Sequence, residues 1–318
     1  MLRHETVSAG DNTQLTLNIW QPEGHAEPHR VIQLLHSMSE HSMCYDEAAT
    51  ALAQQGNIVV AYDQRGHGKL AKTKAHLGMI SNWEQLLDDA RVVNEHIRQQ
   101  YPQASLFMLG HAMGSVLALD YAQHHGETID GMILSGSFYP KKWLRALLGF
   151  VATLERWRQG PQGRSQLLRQ LSFRNFNERF FMPSATGFEW LNRDKGDVAT
   201  YVEDEKCGFI ASNNLWAEFI NAWHRIFCDT KMQSLPHDIP YYLFAGTDDP
   251  IGGRNGQRVK LLANKISEAG AYSLECHLYP DGRHKMLQEV NAPEVIENLS
   301  RWMNKHTKSI GKAKRQIA

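Results

Sequence analysis

Apolar and polar positions recur in short regular bursts up to about residue 135 and again from about residue 240, with an arrhythmic stretch between them. Leu15, Leu17 and Ile19 alternate with Thr16 and Asn18, which predicts a half-exposed antiparallel strand over Leu15–Trp20. Val31–Leu35, Ile58–Tyr62 and Ser105–Leu109 are short, largely apolar runs, as in strands that helices cover on both faces. Asp130–Leu134 reads as one more strand. Helical spacing at Tyr45–Gln54 and Trp83–Gln100 falls where crossovers between parallel strands belong. From Tyr139 to Pro236 the chain is rich in Arg, Trp and Phe and shows no strand pattern. The rhythm resumes with a strand at Tyr241–Phe244, a helix near Gly256–Ala269, an alternating strand at Tyr272–Tyr279 and a helix near Ala292–Lys305. These elements predict an α/β fold: a mostly parallel central sheet flanked by helices, built from residues 1–138 and 237–318. A helical cap, or lid, is expected over residues 139–236. The basic tail Thr307–Ala318 is expected to be frayed.

The segment with most chemistry is Gly110-His111-Ala112-Met113-Gly114, which follows the apolar run ending at Leu109 and opens a helical pattern with Val116, Leu117 and Tyr121 on one face. Strand, Gly-x-Ala-x-Gly and helix in that order form the setting of a nucleophile elbow, whose pattern is Gly-x-Ser-x-Gly. Glycines two residues either side of the elbow supply clearance in a turn too tight for side chains. A plain strand-to-helix turn would also use glycine, so the rest of the chain must decide. α/β-hydrolases present nucleophile, acid and base in that chain order. Asp249 follows the strand at Tyr241–Phe244, beside Asp248, and His284 follows the strand ending at Tyr279. Each residue alone has an ordinary explanation, a helix cap or a loop histidine, but the three in order point to an acyl-transfer site. Its oxyanion hole should use the amide of Met113 and, from the loop after Leu35, that of Met38. The nucleophile itself is missing: position 112 is alanine.

Composition narrows the setting. The 318 residues carry 34 basic and 34 acidic groups, and this balance gives no reason to expect a nucleic-acid partner. The N-terminus lacks an apolar segment of signal-peptide type and no apolar run is long enough to span a bilayer, so a cytoplasmic protein is expected. Cys44, Cys207, Cys228 and Cys276 show no paired spacing and read as buried, reduced thiols. There is no His-Glu-x-x-His motif and no metal or organic cofactor is expected. Residues 141–179 hold nine basic groups (Lys141, Lys142, Arg145, Arg156, Arg158, Arg164, Arg169, Arg174, Arg179) against Glu155 and Glu178, a net of +7. This cap charge fits either transient contact with an anionic membrane surface or a solvated helical face. Trp143, Phe150, Trp157, Trp190, Trp216 and Trp223 would line an acyl tunnel or form the cap's own core.

Taken together, these segments resemble the monoacylglycerol lipase and bacterial lysophospholipase branch of the α/β-hydrolases. His36-Ser37-Met38-Ser39-Glu40-His41-Ser42, with Tyr45, resembles the family's His-Gly-x-x-Glu-His-Ser segment. Asp63-Gln64-Arg65-Gly66-His67-Gly68 resembles its Asp-x-Arg-Gly-His-Gly stretch. Asp249-Pro250 and Arg283-His284 match its acid and base positions, and residues 155–161 are similar to lysophospholipase-type caps. The resemblance implies hydrolysis of a single-acyl-chain lipid ester by a Ser-His-Asp mechanism. The chain departs from it at Ala112, where the family has serine, and at Ser37, where it has glycine.

As written the chain should be inactive, because loss of the nucleophile costs on the order of 10⁶ in rate in a serine triad. Two accounts of the alanine stand: a serine removed by design, favoured because Asp249, His284 and both elbow glycines remain, or a natural protein that binds acyl ligands without cleaving them. Takeover by Ser37 or Ser115 is disfavoured, since only the elbow aims its side chain at the base. Dehalogenase chemistry would need a carboxylate at 112, whereas a general esterase, a peptidase or an acyltransferase could use the same arrangement. Oligomeric state is not legible.

Overall fold

The computed structural model describes residues 1–24, 29–173, 176–180 and 185–307. Eight strands form one sheet: β1 (Leu2–Ser8), β2 (Gln14–Trp20), β3 (Arg30–Leu35), β4 (Asn57–Tyr62), β5 (Ser105–His111), β6 (Gly131–Ser135), β7 (Pro240–Gly246) and β8 (Ser273–Tyr279). Their spatial order is β1-β2-β4-β3-β5-β6-β7-β8. β1 and β2 pair antiparallel, β2 meets β4 antiparallel, and every pairing from β4 to β8 is parallel.

Alternation along the strands separates two cores. Val31 and Leu35 of β3, Leu106 and Met108 of β5 and Leu243 of β7 face a layer built from α2 (Glu84–Gln100), α3 (Met113–His125) and α9 (Gln257–Glu268). Ile32, Leu34, Phe107, Leu109 and Phe244 face the opposite layer, α1 (Asp46–Gln54) and α10 (Ala292–His306). Strands flanked on both sides have no polar face to show, which is why β3, β5, β6 and β7 read as unbroken apolar runs. β1 was not legible. Only Val7 of its seven residues is buried, and a sheet-edge strand in water carries almost no hydrophobic signal.

Between β6 and β7 the chain leaves the sheet through α4 (Lys142–Gln159), α5 (Gln166–Phe173), α6 (Lys195–Glu203), α7 (Asn213–Ile226) and α8 (Asp229–Met232). α4 and α7 pack on each other, and α7 also lies on α3. The basic tail beyond Thr307 and Arg174 lie outside the described residues.

The aromatics of this helical segment divide differently from either expectation. Trp190, Trp216 and Trp223 are buried, but Trp143, Phe150 and Trp157 are 62%, 69% and 84% exposed. With Leu147 and Leu154 they follow a four-three-four-three spacing, one stripe along the solvent side of α4. Among the described residues they line no tunnel and form no core. The cysteines too are less buried than expected: Cys44, Cys207 and Cys228 are partly exposed and Cys276 is exposed.

Candidate active site

The elbow is forced by how closely α3 approaches β3. A Cβ on Gly114 would run into the backbone carbonyl of Leu35, and one on Gly110 into the carbonyl of Gly114. With both clearances used, Ala112 turns at φ 46°, ψ −107°, a left-handed geometry costly for any residue but glycine. Its N–H donates to the carbonyl of Ser135 at 3.0 Å, which fixes the turn against β6.

Asp249 lies past the end of β7 and His284 past the end of β8. His284 Nδ1 donates to Asp249 Oδ2 at 3.0 Å, and the Ile251 amide donates to the other carboxylate oxygen at 2.9 Å. Both side chains are almost fully buried. Adjacent Asp248 turns outward to Arg179 instead, at 3.1 Å. The His284 ring lies 4.6 Å from the ring of His111, immediately before the elbow, and 5.2 Å from Trp190.

Ser37 and Met38 form the opposite rim. Met113, the first residue of α3, has no helical acceptor for its N–H, which donates instead to Ser37 Oγ at 3.4 Å. Among the described residues the Met38 amide meets no acceptor, whereas the Ser37 amide is taken by Glu40 Oε1 at 2.7 Å. The Ser37 hydroxyl thus sits across the Met113 amide. Ser115 is directed elsewhere, donating to the Ala112 carbonyl at 2.6 Å and hydrogen-bonded to the Ser137 hydroxyl at 2.9 Å.

Several supporting residues had no assigned role from sequence. Glu40 also accepts the Tyr45 hydroxyl at 2.6 Å. Burial would raise its pKa, but the charge of Lys285 and the Tyr45 hydrogen bond hold it down to about 2. Gln64 N–H donates to His36 Nε2 at 2.9 Å, so His36 Nδ1–H is left to donate to the Ser37 carbonyl at 2.7 Å. Arg283 holds the base loop to the helical segment, donating to the carbonyls of Glu189 at 2.6 Å and Asn192 at 2.9 Å. Burial of a charged residue inside a motif was the missing signal, and only packing supplies it.

Above the elbow opens a cavity of about 290 Å³, lined by Ser37, Met38, His111 and His284 from the sheet side and Trp190 and Trp216 from the helical side. Its wall exposes more apolar than polar surface, with Gln166, Arg169 and Gln170 of α5 among the polar residues that line it.

Burial sets the protonation of the surrounding histidines. It pushes His67 and His111 down to about 3, helped by like-charge repulsion from His36 and His284 respectively, and it lowers His36 as well. These rings are neutral in the fold and protonate near 6.5 once unfolded. Their contribution to stability is therefore complete above about pH 6.5 and is lost as the pH falls toward 3, each group by up to about 1.4 kcal/mol per pH unit. Urea unfolding at pH 7 and pH 5 should show a clear fall in midpoint at the lower pH; an unchanged midpoint would contradict the neutral buried rings.

Comparison with known proteins supports the fold. The family model "Serine aminopeptidase, S33" (Hydrolase_4) matches residues 26–291. Monoglyceride lipase of Mus musculus is 24% identical over 293 residues, covering 89% of this chain and 87% of its own. Among solved structures, a thermostable carboxyl esterase from Bacillus coagulans superposes with a TM-score of 0.86 at 24% identity, over 96% of this chain and 99% of its own. A soluble variant of monoglyceride lipase from Saccharomyces cerevisiae, in complex with a substrate analog, superposes at 0.74 and 20% identity, over 97% and 96%. The chain belongs to this serine aminopeptidase S33 family and, within the α/β-hydrolases, to its monoacylglycerol lipase branch.

Proposed function

We propose that the chain is built to hydrolyse a carboxylic ester of a single-acyl-chain lipid, monoacylglycerol or lysophospholipid, and that Ala112 leaves it able to bind this substrate without cleaving it. The observation that carries the reading is the His284–Asp249 hydrogen bond buried beside the elbow and opening onto an apolar cavity. The helical segment, residues 139–236, acts as the cap that closes this cavity. Serine at position 112 would attack the ester carbonyl. His284 would take its proton and return it to the leaving alcohol, while Asp249 holds the ring in the tautomer that accepts at Nε2. The Met113 and Met38 amides would receive the oxyanion. No metal or cofactor takes part. The names of the relatives favour a lipid ester over a peptide, and so does a cavity wall that offers apolar and aromatic surface to a chain.

Ala112→Ser should raise hydrolysis of monoacylglycerol, lysophospholipid or short p-nitrophenyl esters by several orders of magnitude over the alanine form. Absence of any gain on all three, in a protein that still folds, would sink the esterase reading.

The α4 stripe supports delivery from a lipid surface. Trp143 to Trp157 spans about 21 Å of helix, with Lys141, Lys142, Arg156 and Arg158 exposed on either side. Not all the cap's basic groups are free for such contact: Arg145 is buried, donating to the carbonyls of Trp223 and Phe227, Arg164 binds those of Ile210, Ala75 and Leu77, Arg158 is paired with Glu155, and Arg179 with Asp248. Aromatic rings beside cations are the composition of an interfacial helix. The chain should float with vesicles containing phosphatidylglycerol, less so at high salt. The triple variant Trp143→Ala, Phe150→Ala, Trp157→Ala should bind at least about a hundredfold more weakly. Negligible flotation of the parent at both low and high salt would reject the membrane contact.

A further inference from the structure

Cys44 and Cys207 are 163 residues apart in sequence, yet their Sγ atoms lie 3.5 Å from each other. Cys44 sits in the helical turn Ser42–Tyr45, just after the Ser37–Glu40 rim. Cys207 sits in the turn that follows α6, its N–H donating to the carbonyl of Asp204 at 2.9 Å. The two turns meet along a hydrogen-bonded seam. Gly208 N–H donates to the Ser39 carbonyl at 2.9 Å, the Tyr201 hydroxyl donates to the same carbonyl at 2.8 Å, and Ser39 Oγ donates to the Phe209 carbonyl at 2.9 Å. Ser39, Gly208 and Phe209 also line the cavity, so the thiol pair fastens one of its walls from behind.

The charges around the pair are unequal. His41 Nε2 lies 2.8 Å from Asp204 Oδ2, and its pKa is about 9: burial opposes the cation, but Cys44 and Asp204 outweigh it. Lys285, fully buried, lies 3.8 Å from Asp197 Oδ2 and 5.3 Å from the Tyr201 ring centre, with its charge favoured by Glu40, Asp197 and both thiols. The hydrogen bond between the sulfurs holds the Cys44 thiol below its usual range against burial, with His41 and Lys285 assisting, while the same bond pushes Cys207 up. The pair thus lies beside two cationic side chains, which favour ionisation of one of its thiols.

His41, Cys44 and Cys207 could also converge on a metal ion, since their ligand atoms lie within 4.8 Å of one another. The electrostatics disfavour it. His41 Nε2 is already engaged with Asp204 Oδ2 at 2.8 Å, and the buried Lys285 ammonium favours an anionic partner beside the thiols over a divalent cation.

We propose that Cys44 and Cys207 are a peroxide-responsive thiol pair whose oxidation to a disulfide ties the rim loop to the 204–209 segment of the cavity wall. The Cys44 thiolate attacks a peroxide oxygen, breaking the O–O bond, and becomes the sulfenic acid as hydroxide leaves. The Cys207 sulfur then attacks the Cys44 sulfur. The sulfenic hydroxyl and the thiol proton depart as water, so the protein loses two electrons and the peroxide gains them. Closing from 3.5 Å to a bond of about 2.05 Å requires a small rotation of each side chain. The partial exposure of both residues admits so small an oxidant. This chemistry does not depend on the ester-hydrolase reading.

The test is treatment of the reduced, chelator-washed full chain with hydrogen peroxide. Free thiols should fall from four to two, the intact mass should fall by about 2 Da, and a peptide joining Cys44 to Cys207 should appear that a reductant removes. Cys207→Ser should instead accumulate a dimedone-reactive sulfenate at Cys44. Oxidation confined to Cys228 and Cys276 would overturn the proposal. So would one equivalent of zinc surviving the chelator and shielding both thiols, which would make the cluster a metal site.

Discussion

Everything at the centre of this molecule follows from one steric constraint, the contact between the N-terminus of α3 and the end of β3. Gly114 has no Cβ because the Leu35 carbonyl occupies that volume, and Gly110 has none because the carbonyl of Gly114 does. A helix packed so tightly onto a strand cannot be reached by an ordinary turn, so residue 112 is driven to a positive φ. The strain is stored at the one position whose side chain must stand clear of the sheet. The same approach leaves the Met113 amide without a helical acceptor, so that it donates to Ser37 Oγ on the rim instead. That the fold maintains this geometry around an alanine matters. The strained turn costs stability, and the close packing of α3 on β3 that requires it is kept although position 112 carries no hydroxyl.

Around the elbow, positions are held by buried polar contacts rather than by apolar packing alone. Glu40 fixes the rim through the Ser37 amide and the Tyr45 hydroxyl, and His36 fixes the Ser37 carbonyl. Arg283 and the backbone of His284 and Lys285 attach the base loop to the helical segment, whose Trp190 and Leu191 carbonyls accept from those two amides. The wall of the cavity and the orientation of His284 are therefore set by the same contacts. Movement of the helical segment would be felt at the histidine.

Much of this was legible in the sequence, and the exceptions share a cause. Buried strands announce themselves because both faces exclude water, so β3 through β7 were readable within a residue or two. β1 was not, because a sheet edge with Val7 as its only buried residue does not differ from a polar loop. Ala112, Asp249 and His284 stood out from their order and their place after strands, and the structure puts Asp249 and His284 in hydrogen-bonding contact. What a list of residue types could not distinguish was direction. Trp143, Phe150 and Trp157 face water while Trp190 and Trp216 face the cavity, and composition treats all five alike. The nearness of Cys44 to Cys207 was hidden for the same reason, since it depends on where α6 ends relative to the rim loop.

The central claim is that the site is complete except for one hydroxyl oxygen. Labelling with a fluorophosphonate, followed by mapping of the adduct, asks this directly, because the reagent captures only a serine that a neighbouring base has activated. The account predicts no adduct on the alanine chain, one adduct per chain at position 112 in the Ala112→Ser variant, and loss of that adduct when His284→Ala is added. A folded Ala112→Ser variant that stays unlabelled, or an adduct at Ser37 in the unaltered chain, would contradict it.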